Sequence, residues 1–156
     1  MMAAAGAFLG PTLVVTHLHD WMLSQGFDEA SIGRSRAAAE EHMASIRLAI
    51  AAGVALVNGT DFPPGSRDAG VPLAIREMEL HVRAGLEPLD AIRAATLNAA
   101  RLLRAPALGR IAVGGPADMI VVGGNPLEDI TAMRHVHKVI QAGQVVYGDR
   151  SPDQTS

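Results

Sequence analysis

The sequence predicts an α/β fold in which parallel strands alternate with helices, followed by a smaller β-rich unit. Two short apolar runs rich in valine and alanine are separated by a long alanine-rich segment of good helix propensity. A further helical region follows the second run, and the pattern changes to short strand-like segments over the C-terminal ~45 residues. Strand, helix and strand in this order are typical of parallel strands that are joined by helical crossovers.

The first apolar run, residues 11–16, is predicted to be a strand that is buried on both faces. The apolar stretch from Ala3 to Val15 has no Lys or Arg before it and is interrupted by Gly10 and Pro11. It also falls short of the roughly 20 residues that cross a bilayer. We therefore expect no signal peptide and no membrane anchor here.

The segment between the two apolar runs is predicted to be a loop over residues 17–31 and then a helix from Ile32 to Ala52. Gly53 stands where a helix C-terminal cap is expected. The second apolar run, Val54 to Asn58, is predicted to be another buried strand, and it ends at Gly59, Thr60 and Asp61.

Two more helices are predicted after this strand. The first extends from Leu73 to Ala84 and stops at Gly85. The second starts near Pro88, which suits the first turn of a helix, and its apolar positions recur every three or four residues as far as Leu102.

The region beyond Pro106 is predicted to be built from strands. The segments are Arg110 to Val113, Asp118 to Val122, Val136 to Gln141 and Gln144 to Tyr147, with a hairpin at Ala142-Gly143 and a polar tail from Arg150 to Ser156.

Composition limits the classes of function. The 156 residues suffice for one domain with a core. The net charge is −3 and Lys138 is the single lysine, so the chain offers no basic stripe for nucleic acid. It contains no cysteine, which excludes disulfides and thiolate ligands and leaves His and carboxylates as strong metal ligands. The expected compartment is the cytoplasm.

Several segments together, in their order and spacing, resemble the C-terminal part of amidohydrolases related to imidazolonepropionase and prolidase-like enzymes. The segments are Gly59-Thr60-Asp61, residues 84–88, residues 94–100, Gly109-Arg110-Ile111, residues 117–122, Asn125-Pro126-Leu127 and residues 139–146. Gly10 to Val14 also resembles a segment in which similar enzymes carry a Pro-Thr-Leu sequence.

The resemblance implies a partial (β/α)8 TIM barrel. Residues 11–16 and 54–58 would be about strands 7 and 8 of the barrel, each with its helices. Residues 1–107 would form the barrel part, residues 108–150 the C-terminal strands of a small β-sandwich, and residues 151–156 a tail. About six barrel strands would then be missing, which suggests a fragment.

The resemblance assigns the chemistry to Asp61. In the family this Asp binds a divalent metal, most often zinc as one or two ions, and carries a proton from the attacking water. The end of a barrel strand is where such enzymes place catalytic groups. The alternative is that Asp61 only caps the turn after the strand.

His17 and His19 are candidate substrate-binding residues at the end of strand 7. The family's metal-binding His-x-His pair lies at strand 1, and the roughly 40 residues between His19 and Asp61 cannot contain the missing strands of a ~250-residue barrel. Solvated or capping roles are expected for the other histidines, and a turn role for Asp118. The histidines concerned are His42, His81, His135 and His137.

The hypothesis that follows is a metal-dependent hydrolase of non-peptide C–N bonds, with a small amide-type substrate and neither nucleic acid nor a membrane as partner. The alternatives are a non-catalytic fragment that folds only with a missing segment, and a small metal-binding protein that uses His17, His19 and Asp61. The isolated chain is expected to be inactive and to self-associate through exposed strand edges.

Overall fold

The computed structural model describes residues 1–148. The predicted tail, Arg150 to Ser156, lies outside the described residues. In the part that is described, no helix has both the length and the apolar character to cross a membrane.

A parallel pair of two-residue strands forms the centre of the α/β part. Strand β1 is Phe8–Leu9 and strand β2 is Ala55–Leu56. Phe8 pairs with Ala55 and Leu9 with Leu56, and the Val57 amide adds a 2.9 Å hydrogen bond to the Leu9 carbonyl oxygen. Helices connect the two strands, so the predicted parallel arrangement with a helical crossover is confirmed.

Three helices lie between these strands: α1 is Val14–His17, α2 is His19–Ser24 and α3 is Glu29–Ala51. The prediction of a strand over residues 11–16 was therefore wrong, and the loop predicted over residues 17–31 contains α2 and the start of α3. No strand can run through residues 11–16 because Thr12 has a φ of 53°, in the left-handed region that interrupts an extended strand.

Helix α3 confirms the longest helix prediction. It starts three residues before Ile32, because the Asp28 carboxylate accepts a 2.6 Å hydrogen bond from the Ser31 amide and caps the N-terminus. After its end Gly53 adopts a φ of 71°, the left-handed conformation that terminates helices and suits glycine.

A short hairpin and three helices follow β2. The hairpin pairs β3, Arg67–Asp68, with β4, Val71–Pro72. Helix α4 is Leu73–Arg83, close to its predicted bounds. The second helix was predicted to be continuous, but it is divided into α5, Pro88–Ala95, and α6, Leu97–Leu102.

The division between α5 and α6 has a long-range cause. The Ala94 carbonyl oxygen, which would accept the amide of Asn98 in a continuous helix, instead accepts the Asn58 amide at 3.0 Å. Thr96 leaves the helical region, with φ −125° and ψ −89°. A Cβ on Gly109 would lie 2.5 Å from the Thr96 carbonyl oxygen, so the following chain can pass this corner only as glycine.

The C-terminal unit is an antiparallel sheet of order β5-β6-β7. Its strands are Met119–Val122, Val136–Gln141 and Gln144–Tyr147, all within a residue of prediction. Ala142 and Gly143 connect β6 to β7 with φ values of 49° and 78°, as a two-residue hairpin requires. The strand predicted at Arg110 to Val113 is absent from the described chain, because these residues are exposed and pair with no other strand there.

The main core lies where α1, α3 and α4 pack on the ends of the parallel strands. Its most deeply buried members are the apolar side chains of Leu13, Val14, Met43, Ile46, Leu56 and Ala94. A second cluster, which includes Trp21, Ile32 and Leu73, packs α2 against α3 and α4. The loops after β1 and β2 are thus fixed by core residues.

A chain of charges connects α4 to the segment before β6. Glu79 accepts two hydrogen bonds from the Arg134 guanidinium, at 2.6 and 2.7 Å, and a third from Arg76 at 3.2 Å. Arg76 Nε also lies 2.8 Å from an Asp68 oxygen. Burial alone would raise the pKa of Glu79, but the hydrogen bonds from Arg134 and Arg76 outweigh it, so the net shift is downward.

We expect Arg134→Ala to destabilise the chain by about 1 kcal/mol at neutral pH, a modest value because the pair is partly exposed. Since the pKa of Glu79 is lowered by folding, this contribution is complete above its ordinary value of 4.5 and is lost as the pH falls through the lowered value. Urea unfolding at several pH values measures it. Arg93→Ala, which removes an exposed pair with Asp90, is the control and should have little effect. Equal losses in the two variants would contradict the prediction.

Candidate active site

The carboxyl ends of β1 and β2 bring the two predicted site segments to the same edge of the parallel pair. Asp61 lies five residues after Leu56, is exposed, and has a φ of 59°. Its carboxylate has no hydrogen-bond partner in residues 1–148. The Thr60 hydroxyl oxygen, and not Asp61, accepts the Phe62 amide at 3.3 Å in this turn. The Asp61 side chain therefore caps no backbone amide in the described residues, its φ is one that turn residues adopt, and its role stays a prediction.

A hydrogen-bonded cluster holds His17 after β1. His17 Nδ1 lies 3.0 Å from the Leu13 carbonyl oxygen and 2.9 Å from the Thr16 hydroxyl. The same hydroxyl lies 2.9 Å from His42 Nδ1 on α3. The Thr16 hydroxyl donates to the Leu13 carbonyl oxygen at 3.2 Å, and a hydrogen bond from His17 to the same oxygen requires the proton on Nδ1, because a carbonyl oxygen can only accept. Nε2 of His17 then presents a lone pair.

Burial favours the neutral form of His17. Desolvation lowers the pKa of its imidazole below the ordinary value of 6.5, and the hydrogen bond to the Leu13 carbonyl opposes this only in part. Arg83, His42 and His19 lower the pKa further through their charges. The lowered pKa favours the neutral imidazole, which can accept a hydrogen bond at Nε2.

A buried carboxylate lies on the other side of Leu13. Glu77 of α4 is fully buried, and its two oxygens accept the Leu13 amide at 2.8 Å and the Val14 amide at 2.9 Å. His81, one turn later and also fully buried, lies with Nε2 3.1 Å from the same carboxylate. The expectation of a solvated or capping His81 was wrong, whereas His42 is half-buried and its ring lies 2.9 Å from the Thr16 hydroxyl.

An aromatic contact joins the loops that follow the two strands. The rings of Trp21 and Phe62 meet edge to face with centroids 4.7 Å apart, and the Trp21 indole donates to the Arg67 carbonyl oxygen at 2.6 Å. Beside this contact is an open cavity of about 240 Å³, lined by residues 17–21, Arg36 and Asp68. Asp61 is not among its lining residues. His17 and His19 thus share a polar cavity, whereas their role in substrate binding stays a prediction.

Polar side chains also fix the end of β2. The Asn98 side chain donates to the Leu56 carbonyl oxygen at 2.9 Å, and the Asn58 side chain donates to the Ala74 carbonyl oxygen at 3.0 Å. Together with the bond from the Asn58 amide to Ala94, these contacts tie the strand end to α4 and to the junction of α5 and α6. The backbone from which the Asp61 loop departs is held on several sides.

The donor set of the described chain does not form a metal site. Residues 1–148 contain no group of three His, Cys, Asp or Glu side chains that could hold a metal ion. Catalytic zinc normally takes three protein ligands. His17, His19 and Asp61 therefore do not constitute a metal centre, and the reading of a small metal-binding protein finds no support in this geometry.

Sequence reasoning missed Glu77 as the partner of the loop after β1 and His81 as the partner of Glu77. Their spacing of four on a helix was visible, since it places both side chains on one face. The helical pattern around them is also apolar, which indicates a buried face. Nothing local, however, indicated that the carboxylate would reach backbone amides more than 60 residues away.

The remaining two histidines, His135 and His137, are exposed as expected.

The comparison with protein families extends over nearly the whole chain. The model of the amidohydrolase family matches residues 1–146. The chain belongs to the amidohydrolase family. The match confirms the predicted family membership. Amidohydrolases generally depend on metal ions.

Individual amidohydrolases show how much of such a protein the chain covers. It is 37% identical to ochratoxinase of Aspergillus niger over 122 residues, which are 73% of the chain and 24% of that protein. It is 35% identical to imidazolonepropionase of Anaeromyxobacter sp. (strain K) over 113 residues, 69% of the chain and 26% of that protein. The chain spans about a quarter of the length of the curated relatives it matches.

Solved structures agree in fold. A Xaa-Pro dipeptidase with methionine bound in its active site superposes with a TM-score of 0.79 and 30% identity, covering 94% of the chain and 36% of that protein. The structures that match are amidohydrolase barrel proteins, so the α/β fold class is confirmed at this level.

Proposed function

We propose that this chain is the Asp61-bearing part of a metal-dependent amidohydrolase that cleaves amide-type C–N bonds other than ordinary peptide links. In this proposal β1 and β2 are the seventh and eighth strands of a barrel, and β5 to β7 belong to a small β-sandwich. The observation that carries it is the family match over residues 1–146 together with Asp61 at the carboxyl end of β2.

Asp61 is the proposed metal ligand and proton carrier. A carboxylate suits both tasks because it is a hard ligand and a base, and this one is exposed and has no competing partner in the described chain. The proposed ion is zinc. Since the described residues provide no three-ligand group, the proposal requires further ligands from other segments.

The substrate class is drawn from the names of similar proteins. They act, by those names, on an ochratoxin, an imidazolone propionate and Xaa-Pro dipeptides. We propose a small amide-type substrate, with His17 and His19 on its binding side because both line the cavity beside the strand ends.

A second candidate is a non-catalytic chain that folds with a partner segment. The specific observation in its favour is the absence of a three-ligand group among residues 1–148. Under this alternative Asp61 would be free of any chemical constraint.

Metal loading and turnover test the proposal. The 156-residue chain alone is expected to hold less than one equivalent of zinc and to leave the three classes of substrate intact. The same chain, expressed with whatever coding sequence precedes it in frame, is expected to hold stoichiometric zinc and to hydrolyse at least one of them. A chelator should remove this activity and added zinc should restore it. Stoichiometric metal without turnover of any amide would refute the hydrolase and favour the second candidate.

A further inference from the structure

The backbone of Leu13 is bonded on both sides by groups from distant parts of the chain. Its amide donates to Glu77 at 2.8 Å, and its carbonyl oxygen accepts from His17 Nδ1 at 3.0 Å. Leu13 thus connects the fully buried carboxylate of Glu77 on α4 to the imidazole of His17, which lines the cavity.

The Glu77 carboxylate suits this role because each of its oxygens accepts a backbone N–H. Its Oε1 accepts the Leu13 amide and lies 3.1 Å from His81 Nε2, and its Oε2 accepts the Val14 amide at 2.9 Å. Both oxygens are therefore occupied by N–H donors. A glutamine could present only one oxygen, and its NH2 group would face a donor across a buried contact.

The geometry points to Glu77 as a positioning residue: by holding the Leu13 and Val14 amides, it places the Leu13 carbonyl oxygen so that His17 is protonated on Nδ1 and presents Nε2 as an acceptor. Its relevance to substrate binding rests on the proposed function. The group that Nε2 would accept from is an N–H or O–H donor of the substrate, such as an amide N–H.

Glu77 differs in this respect from its neighbour on the same helix. Glu79 directs its carboxylate to Arg134 and Arg76 and has no bond to the loop after β1. A variant of Glu79 therefore removes a charge from α4 without removing a hydrogen bond to Leu13. Glu79→Gln is the matched control, and Glu77→Asp, which keeps the carboxylate on a shorter side chain, is the conservative variant.

Two measurements on the 156-residue chain test the inference. Nitrogen NMR of protein labelled at histidine, in solution or as a solid, reports which ring nitrogen of His17 carries the proton. Hydrogen exchange reports the Leu13 and Val14 amides. In the parent protein we expect His17 to be protonated mainly on Nδ1 and both amides to be protected. In Glu77→Gln both amides should exchange roughly tenfold faster or more, and the Nε2-protonated form of His17 should increase.

The controls decide between positioning and general loss of structure. Glu79→Gln should leave the His17 tautomer and the exchange of both amides unchanged, and Glu77→Asp should fall between the parent and Glu77→Gln. If Glu77→Gln does not fold, the parent and Glu77→Asp decide: a shift toward the Nε2-protonated form in Glu77→Asp supports the inference. A parent His17 protonated on Nε2, or an unchanged tautomer in a folded Glu77 variant, would overturn it.

These readouts need no turnover, so they separate the inference from the proposed function. A protein without hydrolase activity, in which His17 responds to Glu77 as described, would refute the hydrolase and leave the positioning role intact. In an active protein, Glu77→Gln should raise KM more than it lowers kcat and should leave the metal content unchanged, as expected for a group that acts through a substrate contact.

Discussion

Asp61→Ala is expected to reduce kcat/KM for amide hydrolysis by roughly 10³-fold or more in a protein that shows this activity. Alanine offers no oxygen to bind a metal or to carry a proton. The fold should persist, because Asp61 is exposed and its carboxylate has no partner in residues 1–148. Steady-state kinetics at matched metal loading, with circular dichroism as the check on folding, measures both.

Two further variants isolate the chemistry. Asp61→Asn keeps the size of the side chain and tolerates the φ of 59° as well as aspartate does, so it separates loss of charge from backbone strain. It should be nearly as inactive as the alanine variant. Asp90→Asn removes an exposed carboxylate on α5 and should leave the rate unchanged. Retention of more than about a tenth of the parent activity in Asp61→Ala would count decisively against the assignment.

The isolated chain is expected to form dimers or larger species rather than a 16.3 kDa monomer. The sheet of β5 to β7 exposes Ile120, Val121, Val146 and Tyr147 by 45 to 61%. Its two outer strands each have one partner in the described chain, which leaves edges for another sheet. Size-exclusion chromatography with light scattering gives the mass directly.

Charged substitutions on the outer strands provide the control for association. Val121→Lys in β5 and Val146→Lys in β7 place a cation on each exposed strand, which blunts edge pairing. The double variant should shift toward the monomer, whereas an exposed substitution on α3, such as Leu48→Lys, should not. A monodisperse monomer of the parent chain at about 100 μM would show that these surfaces do not associate by themselves.

The boundaries of several elements could be predicted because residues close to them in the sequence determine them. Gly53 ends α3, and Ala142 and Gly143 form the hairpin, because their conformations are determined within a few residues. The family resemblance likewise placed Asp61 after a strand that exists. The pattern of residues 54–58 was a sound indication because it is bounded by turn residues on both sides.

Distant contacts explain the errors. Residues 11–16 have the composition of a strand, yet the amides of Leu13 and Val14 bind Glu77, and the chain turns into α1. The cluster around His17 was equally hidden, since Thr16 meets His42 from a separate helix. Contacts between residues so far apart in the sequence produce no periodic pattern of residue types from which they could be predicted.

At the break between α5 and α6, local helix propensity favours one continuous helix, whereas a tertiary contact favours two. Thr96→Ala would favour a continuous helix by its intrinsic propensity, and the Ala94 carbonyl oxygen would then return to the amide of Asn98. The Asn58 amide, now bonded to that oxygen at 3.0 Å, would lose its acceptor. This junction is therefore locally frustrated: a substitution that stabilises an isolated helical peptide would loosen the backbone leading to Asp61. Consensus-style stabilisation of this protein should leave Thr96 untouched.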